Sequence, residues 1–222
     1  MLNLYCFITY YGGVKMDKKE YLENPTVASA LSFWKTCNFK TPANIKVLNE
    51  NEFNPGLLET YTDEVYFKLV HHLNGVDKQF ISDDFIFAEA STADFVNHIN
   101  SCYEGEGLTV SELESYKKKP VYDEELWICL YDKKHNAIAA TGIAEFDNNI
   151  KEGYLDWIQV SEQYRGQGLG KAIVYELLRR LSKKASFVTV SGRVDNKTKP
   201  DKLYESCGFE DKILWHILRG KN

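Results

Sequence analysis

The reading of this chain turns on Val160-Ser161-Glu162-Gln163-Tyr164-Arg165-Gly166-Gln167-Gly168-Leu169-Gly170-Lys171. Before it, Glu152 to Val160 is rich in strand-forming residues. Beyond it, Leu169, Ile173, Leu177, Leu178 and Leu181 recur at helical spacing and make one apolar stripe. The stretch is therefore expected to be a loop between a strand and an amphipathic helix. Glycines at alternate positions let a backbone approach a ligand closely, and the N–H groups of a helix N-terminus favour phosphate or pyrophosphate. The spacing excludes two common cradles. A dinucleotide fingerprint needs glycine where Lys171 stands, and a P-loop needs glycine at Arg165 and Ser or Thr at Ala172. An anion cradle of another kind remains, beside a bare glycine-rich turn.

Working outward, Phe187 to Val190 reads as a strand, Leu203 to Cys207 as a short helix and Ile213 to Leu218 as a last strand. Upstream, Leu126 to Tyr131 and Ala137 to Phe146 read as a hairpin around the polar turn Asp132 to Asn136. Phe85 to Ala88 is a strand, and Ser91-Thr92-x-Asp94 caps a helix carrying Phe95, Val96, Ile99 and Cys102, so a βα unit begins near Ile81. Glu104 to Gly107 is a flexible break. Thr109-x-x-Glu112 then caps a helix stopping at Pro120, placed to flank a substrate.

The first 80 residues carry no chemical motif. Asn24-Pro25-Thr26 starts a helix through Val27, Ala28, Ala30, Leu31 and Trp34, Pro42 breaks the chain, and Ile45 to Leu48 is strand-like. After the turn Asn54-Pro55-Gly56, the positions Leu57, Leu58, Tyr61, Val65, Leu69 and Leu73 predict an amphipathic helix or two, closed by Asn74-Gly75. Residues 1–80 are expected as an extension packing on a domain of residues 81–222. Because Met16 opens a polar stretch, residues 1–15 read equally well as an upstream start of the same frame.

The chain of 222 residues is 44% hydrophobic and 27% charged, which permits a sizeable core and rules out wholesale disorder. Its 27 basic and 32 acidic residues give a net charge of −5, so no global attraction to nucleic acid or anionic lipid is expected. Five scattered cysteines without a C-x-x-C pair fit a reducing compartment, and hence the cytoplasm, and no metal constellation accompanies them. The apolar run Leu2 to Tyr11 is too short for a bilayer, so no membrane is expected as a partner.

The pattern Arg165-x-x-Gly168-x-Gly170 resembles the acyl-CoA signature of the GNAT superfamily of N-acyltransferases. Ile158-Gln159-Val160 followed by Tyr164-Arg165-Gly166 is similar to that superfamily's strand-to-loop phrase, and Leu203-Tyr204-Glu205-Ser206-Cys207-Gly208-Phe209 to its L-Y-x-x-x-G-F phrase. The resemblance covers roughly Ile81 to Asn222. It implies an α/β (α+β) chain with the GNAT fold, a mixed central β-sheet flanked by helices, here behind an N-terminal helical or extended extension. The implied co-substrate is acetyl-CoA, without metal, and the implied partner is a small-molecule or peptide amine, a homodimer being left open. One departure is that Asn196 lies seven residues before Leu203 rather than the usual six, with Pro200 inside the gap.

The resemblance also implies roles. The backbone N–H of Ile158 faces the thioester oxygen and Val160 pairs with the pantetheine amides, with Gln159 between them. The N–H groups of Gly166, Gly168, Gly170 and Lys171, with Arg165, hold the pyrophosphate; Gln167 and Leu169 belong to the same cradle, and Asn196 is either a pantetheine contact or a turn former. Tyr204 is the expected general acid, since a phenol with pKa of about 10 is protonated at neutral pH. Strand alternation puts Glu152, Tyr154, Asp156, Ile158 and Val160 on one face and Trp157 and Gln159 on the other. That makes Asp156 the first candidate base, with Glu152, Glu145, His216 and water in reserve; His216, between Trp215 and Ile217, reads first as a packed core residue. A non-catalytic acyl-CoA-binding regulatory or interaction module is the competing reading.

Overall fold

The computed structural model describes residues 16–38, 41–76, 81–103 and 107–221, so the upstream-start reading and most of the break at Glu104 to Gly107 lie outside the described residues. The chain forms two compact units: His72–Val188, and the segment up to His71 together with Thr189 onward. Among the described residues no helix is long and apolar enough to cross a membrane.

The first unit contains β3 (Phe85–Ala88), α4 (Thr92–Cys102), α5 (Val110–Tyr116), β4 (Trp127–Asp132), β5 (Ala137–Asp147), β6 (Glu152–Val160) and α6 (Leu169–Leu181). Its strands lie in the order β3-β4-β5-β6, each antiparallel to the next. Both capping boxes form as expected: Ser91 with Asp94 opens α4, and Thr109 with Glu112 opens α5. On one sheet face α6 approaches closely, for a Cβ on Gly142 would stand 2.5 Å from Ile173. On the other face, Phe95, Val96 and Ile99 of α4 and Leu113 of α5 pack with Ile143 and Trp157.

One feature of β6 overturns the expected alternation. Ile143 pairs with Trp157, but the next residue, Ala144, pairs with Leu155, so Asp156 is an extra residue in a β-bulge. The bulge shifts the phase of the strand. Glu152 and Tyr154 therefore share the α4 face with Trp157 and Gln159, opposite Asp147, Glu145, Ile143 and Thr141 of β5, while Leu155, Ile158 and Val160 share the α6 face.

The second unit contains α1 (Lys18–Glu23), α2 (Pro25–Ala28), α3 (Phe33–Asn38), β1 (Ile45–Asn49), β2 (Tyr61–His71), α7 (Pro200–Glu205) and β8 (Glu210–Gly220). β7 (Phe187–Arg193) starts in the first unit and ends in this one. The strand order here is β7-β2-β8-β1, with β8 antiparallel to both its neighbours. The helix expected over Leu57 to Leu73 is instead a 3-10 turn, Pro55–Glu59, followed by the eleven-residue β2. From Tyr66 to His71 every residue of β2 is buried, on both faces. Such a run contains helical spacing by accident, while Tyr61, Thr62, Val65, Tyr66, Phe67 and Val70 carry the aromatic and β-branched bias of a strand.

The helix begun at Asn24 also stops early, at Ala28. The ammonium of Lys68 on β2, itself fully buried, donates to the Ser29 carbonyl at 2.8 Å, the Leu31 carbonyl at 2.6 Å and the Tyr21 hydroxyl at 2.9 Å. Those two carbonyls are the ones a continuing helix would offer to residues 33 and 35. A buried cation therefore breaks the helix and fixes the segment.

Candidate active site

Between β6 and α6 the chain makes a 3-10 turn, Glu162–Tyr164, and then passes through Gly166 at φ +78° and Gly168 at φ +81°. Both are left-handed conformations that cost a residue with a Cβ about 1–2 kcal/mol. Among the described residues, a Cβ placed on either glycine would meet nothing within 4 Å, so they leave the space over the loop open. No side chain caps the first turn of α6 and no acidic residue lies in it, so its N–H groups and dipole are presented to that space. Arg165 is tied back through Nε to the Val160 carbonyl at 3.3 Å, and Lys171 is exposed. Gly166, Gly168, Gly170 and Lys171 lie in this one loop and the first turn of α6, a shape that fits a pyrophosphate. Among the described residues no group of three His, Cys, Asp or Glu side chains could hold a metal ion.

Upstream of the loop, Asp156 is half-buried at the bulge, and Ile158 and Val160 are half-buried on the α6 face. The Ile158 carbonyl accepts from the Tyr103 hydroxyl at 3.4 Å. On the α4 face lies a polar network that sequence reading missed. Gln159 Nε2 donates to Thr141 Oγ1; His98 Nδ1 lies 2.9 Å from the same oxygen, and His98 Nε2 lies 2.8 Å from Ser161 Oγ. The available signal was a histidine on the apolar stripe of α4, beside Ile99 and three residues after Phe95.

The sequence of residues 122–211 matches the model of a family described as the acetyltransferase (GNAT) domain. Residues 122–211 carry a GNAT acetyltransferase domain. Solved structures agree in fold. A GCN5-related N-acetyltransferase from Sphaerobacter thermophilus superposes with TM-score 0.62 at 14% identity, over 80% of this chain and 61% of that one. An acetyltransferase of the GNAT family from Colwellia psychrerythraea gives 0.58 at 16% identity, over 81% and 66%. A conserved protein from Staphylococcus epidermidis gives 0.57 at 13% identity, over 96% and 84%. The chain thus spans less than two thirds of the first two. No curated protein matches it by sequence. The expected fold class, a mixed central sheet flanked by helices, is the one the GNAT neighbours share.

Other residues singled out in the sequence, of which Tyr204 and Asn196 fall within the span that matches the GNAT domain, lie in the second unit. Tyr204, on α7, is 5% exposed, its ring 6.2 Å from that of Phe67 and 5.6 Å from that of Phe209. Asn196 Oδ1 accepts from the Thr198 amide at 3.0 Å and its hydroxyl at 2.9 Å, closing a turn. His216 Nδ1 lies 2.7 Å from Asp63 Oδ2, and its ring stacks on Phe53 at 3.7 Å. Of the reserve carboxylates, Glu152 and Glu145 are both buried on the α4 face of the first unit, and Glu145 Oε1 lies 3.8 Å from the Lys119 ammonium.

His98 also makes a stability prediction. Burial lowers its pKa from 6.5 to about 4, so it stays neutral in the fold. The unfolded chain binds a proton near pH 6.5 and the folded chain only near 4, so this contribution is complete above 6.5 and is lost as pH falls toward 4. Urea unfolding should show wild type losing about 2–3 kcal/mol more than His98→Gln between pH 7 and 4.5. Parallel stability curves would remove His98 as the cause.

Proposed function

We propose that the protein is an acetyl-CoA-dependent N-acetyltransferase that moves an acetyl group directly to a primary amine. The observation that carries this reading is the pair of left-handed glycines, Gly166 and Gly168, under open space at the uncapped start of α6. Bound there, acetyl-CoA supplies an acetyl thioester whose C–S bond breaks, the electron pair leaving with sulfur, as a C–N bond forms. The chain's own residues handle binding and protons. The loop amides and Arg165 hold the pyrophosphate, and the backbone of Val160 pairs with the pantetheine arm. The N–H of Ile158 hydrogen-bonds the carbonyl oxygen, where negative charge develops. Asp156, at the bulge, removes the proton from the acceptor ammonium so that its nitrogen has a lone pair to give. Tyr204 returns a proton to the departing sulfur.

The test is acetyl-dependent release of CoA over a panel of amines, beside calorimetry with acetyl-CoA. Release with an amine supports the enzyme. Binding without release from any amine would leave a non-catalytic acyl-CoA-binding module, and absence of binding would defeat both. Within the enzyme reading, Tyr204→Phe keeps the ring and removes only the donor, so it should lower kcat about 10²-fold or more while leaving the KM for acetyl-CoA nearly unchanged. An unchanged kcat at saturation would reduce Tyr204 to a packing residue.

A further inference from the structure

The glycine loop is tied to a second place in the chain, the turn between β4 and β5. Tyr164 closes the 3-10 turn directly before Arg165 and Gly166. Its ring is buried and meets the Phe85 ring of β3 edge-on at 6.0 Å, and its hydroxyl hydrogen-bonds the carboxylate of Asp132. Asp132 is the last residue of β4, paired on one side with Phe85 of β3 and on the other with Ala137 of β5. Its Oδ1 accepts the amides of Lys134 at 2.8 Å and His135 at 3.1 Å, and its Oδ2 lies 2.6 Å from His135 Nδ1. The His135 bond above all, with the Tyr164 bond beside it, holds the Asp132 carboxyl well below the usual carboxylate range against the effect of burial. Burial first, and then Asp132, pushes the Tyr164 hydroxyl up. The phenol is therefore the donor and the ionised carboxylate the acceptor of a charge-assisted bond.

We propose that Asp132 is a positioning residue for the pyrophosphate: through the Tyr164 hydroxyl it fixes the glycine cradle in its binding shape before the ligand arrives. This rests on the acetyltransferase reading above, and Asp132 acts through Tyr164 rather than on the ligand. Between Tyr164 and α6 the chain runs through Gly166 and Gly168, both at positive φ, and glycine loses more conformational freedom on ordering than any other residue. The helix holds one end of the cradle. The other end is held by Tyr164, whose partner sits on a strand paired on both sides and so does not yield. A ligand that must order its own loop binds more weakly than one that finds the loop ordered. The bonds from residues 134 and 135 already close the turn on Asp132, so the Tyr164 bond serves the loop and not the hairpin.

The experiment is calorimetry with acetyl-CoA on the full chain, comparing wild type with Tyr164→Phe, Asp132→Asn, their double variant and His135→Ala. Tyr164→Phe keeps the ring on Phe85 and removes only the hydroxyl, so it should weaken acetyl-CoA binding by about tenfold. In turnover the loss should appear in the KM for acetyl-CoA, with kcat at saturation unchanged. Asp132→Asn should lose at least as much, and the double variant no more than Asp132→Asn alone, because both changes break one bond. His135→Ala removes the other Oδ2 bond without touching the loop and should leave the affinity nearly unchanged. Wild-type affinity in folded Tyr164→Phe, additive losses in the double variant, or an equal loss in His135→Ala overturns the proposal. Amide hydrogen exchange in the unliganded chain reads the anchor without the ligand. The amides of Tyr164 and Arg165, bonded to the Ser161 and Glu162 carbonyls at 2.9 and 3.2 Å, should exchange faster in Tyr164→Phe. Faster exchange beside a wild type that binds no acetyl-CoA keeps the anchor and defeats the acetyltransferase reading. Binding by wild type, with exchange and affinity unchanged in Tyr164→Phe, keeps that reading and defeats the anchor.

Discussion

A chain beginning at Ile81 is expected to be insoluble or unfolded, while one beginning at Met16 should behave as the full chain does. The earlier start keeps every described residue. The later one removes β1 and β2, which are the two strands that flank β8. β8 would then present eleven residues of unpaired N–H and carbonyl groups on both edges, an open template for aggregation. The apolar loss is of similar weight. Tyr66, Phe67, Leu69 and Val70 of β2 are all buried, and at about 1.5–3 kcal/mol each they account for roughly 6–12 kcal/mol, as much as the whole net stability of an ordinary domain. Trp215 and Ile217 would also lose Tyr66 and Ala30 from their cluster. Soluble yield and cooperative thermal unfolding are the measurements. A soluble, cooperatively folding chain from Ile81 would mean that β8 finds other partners and that residues before 81 are dispensable.

Gly168→Asp should weaken acetyl-CoA binding by at least about 100-fold, equivalent to roughly 2.7 kcal/mol. Two causes add. Aspartate at φ +81° is strained by about 1–2 kcal/mol, and its carboxylate would stand where the loop amides attract a pyrophosphate. Since a Cβ at this position meets no atom of the described residues within 4 Å, the fold itself should tolerate the change. Calorimetry on wild type, Gly168→Ala and Gly168→Asp separates the causes, because alanine carries the strain without the charge. Wild-type affinity in the aspartate variant would place the ligand elsewhere.

The loop, α6, both capping boxes and the β4–β5 hairpin were legible because each is decided locally. A glycine at positive φ, a Ser or Thr three residues before an acid, and an apolar stripe at helical spacing act over a single turn of chain. Hence the candidate pyrophosphate cradle could be assembled from twelve consecutive residues. Long-range pairing decided the rest. The bulge at Asp156 exists only in the register of β6 against β5, so strand alternation assigned Asp156 to a face it does not simply share, and moved Glu152 and Tyr154 to the wrong side. The Lys68 ammonium ends α2 from 37 to 39 residues away along the chain, and His98 meets Ser161 across 63. β2 looked helical because burial from Tyr66 to His71 runs through both faces, Lys68 and His71 included, so no exposed positions there mark its period of two. By itself the sequence determined what a few neighbouring residues settle through backbone conformation and capping. Only the tertiary structure decided which buried polar groups meet, because that depends on strand register and on the burial that makes an unmatched group costly.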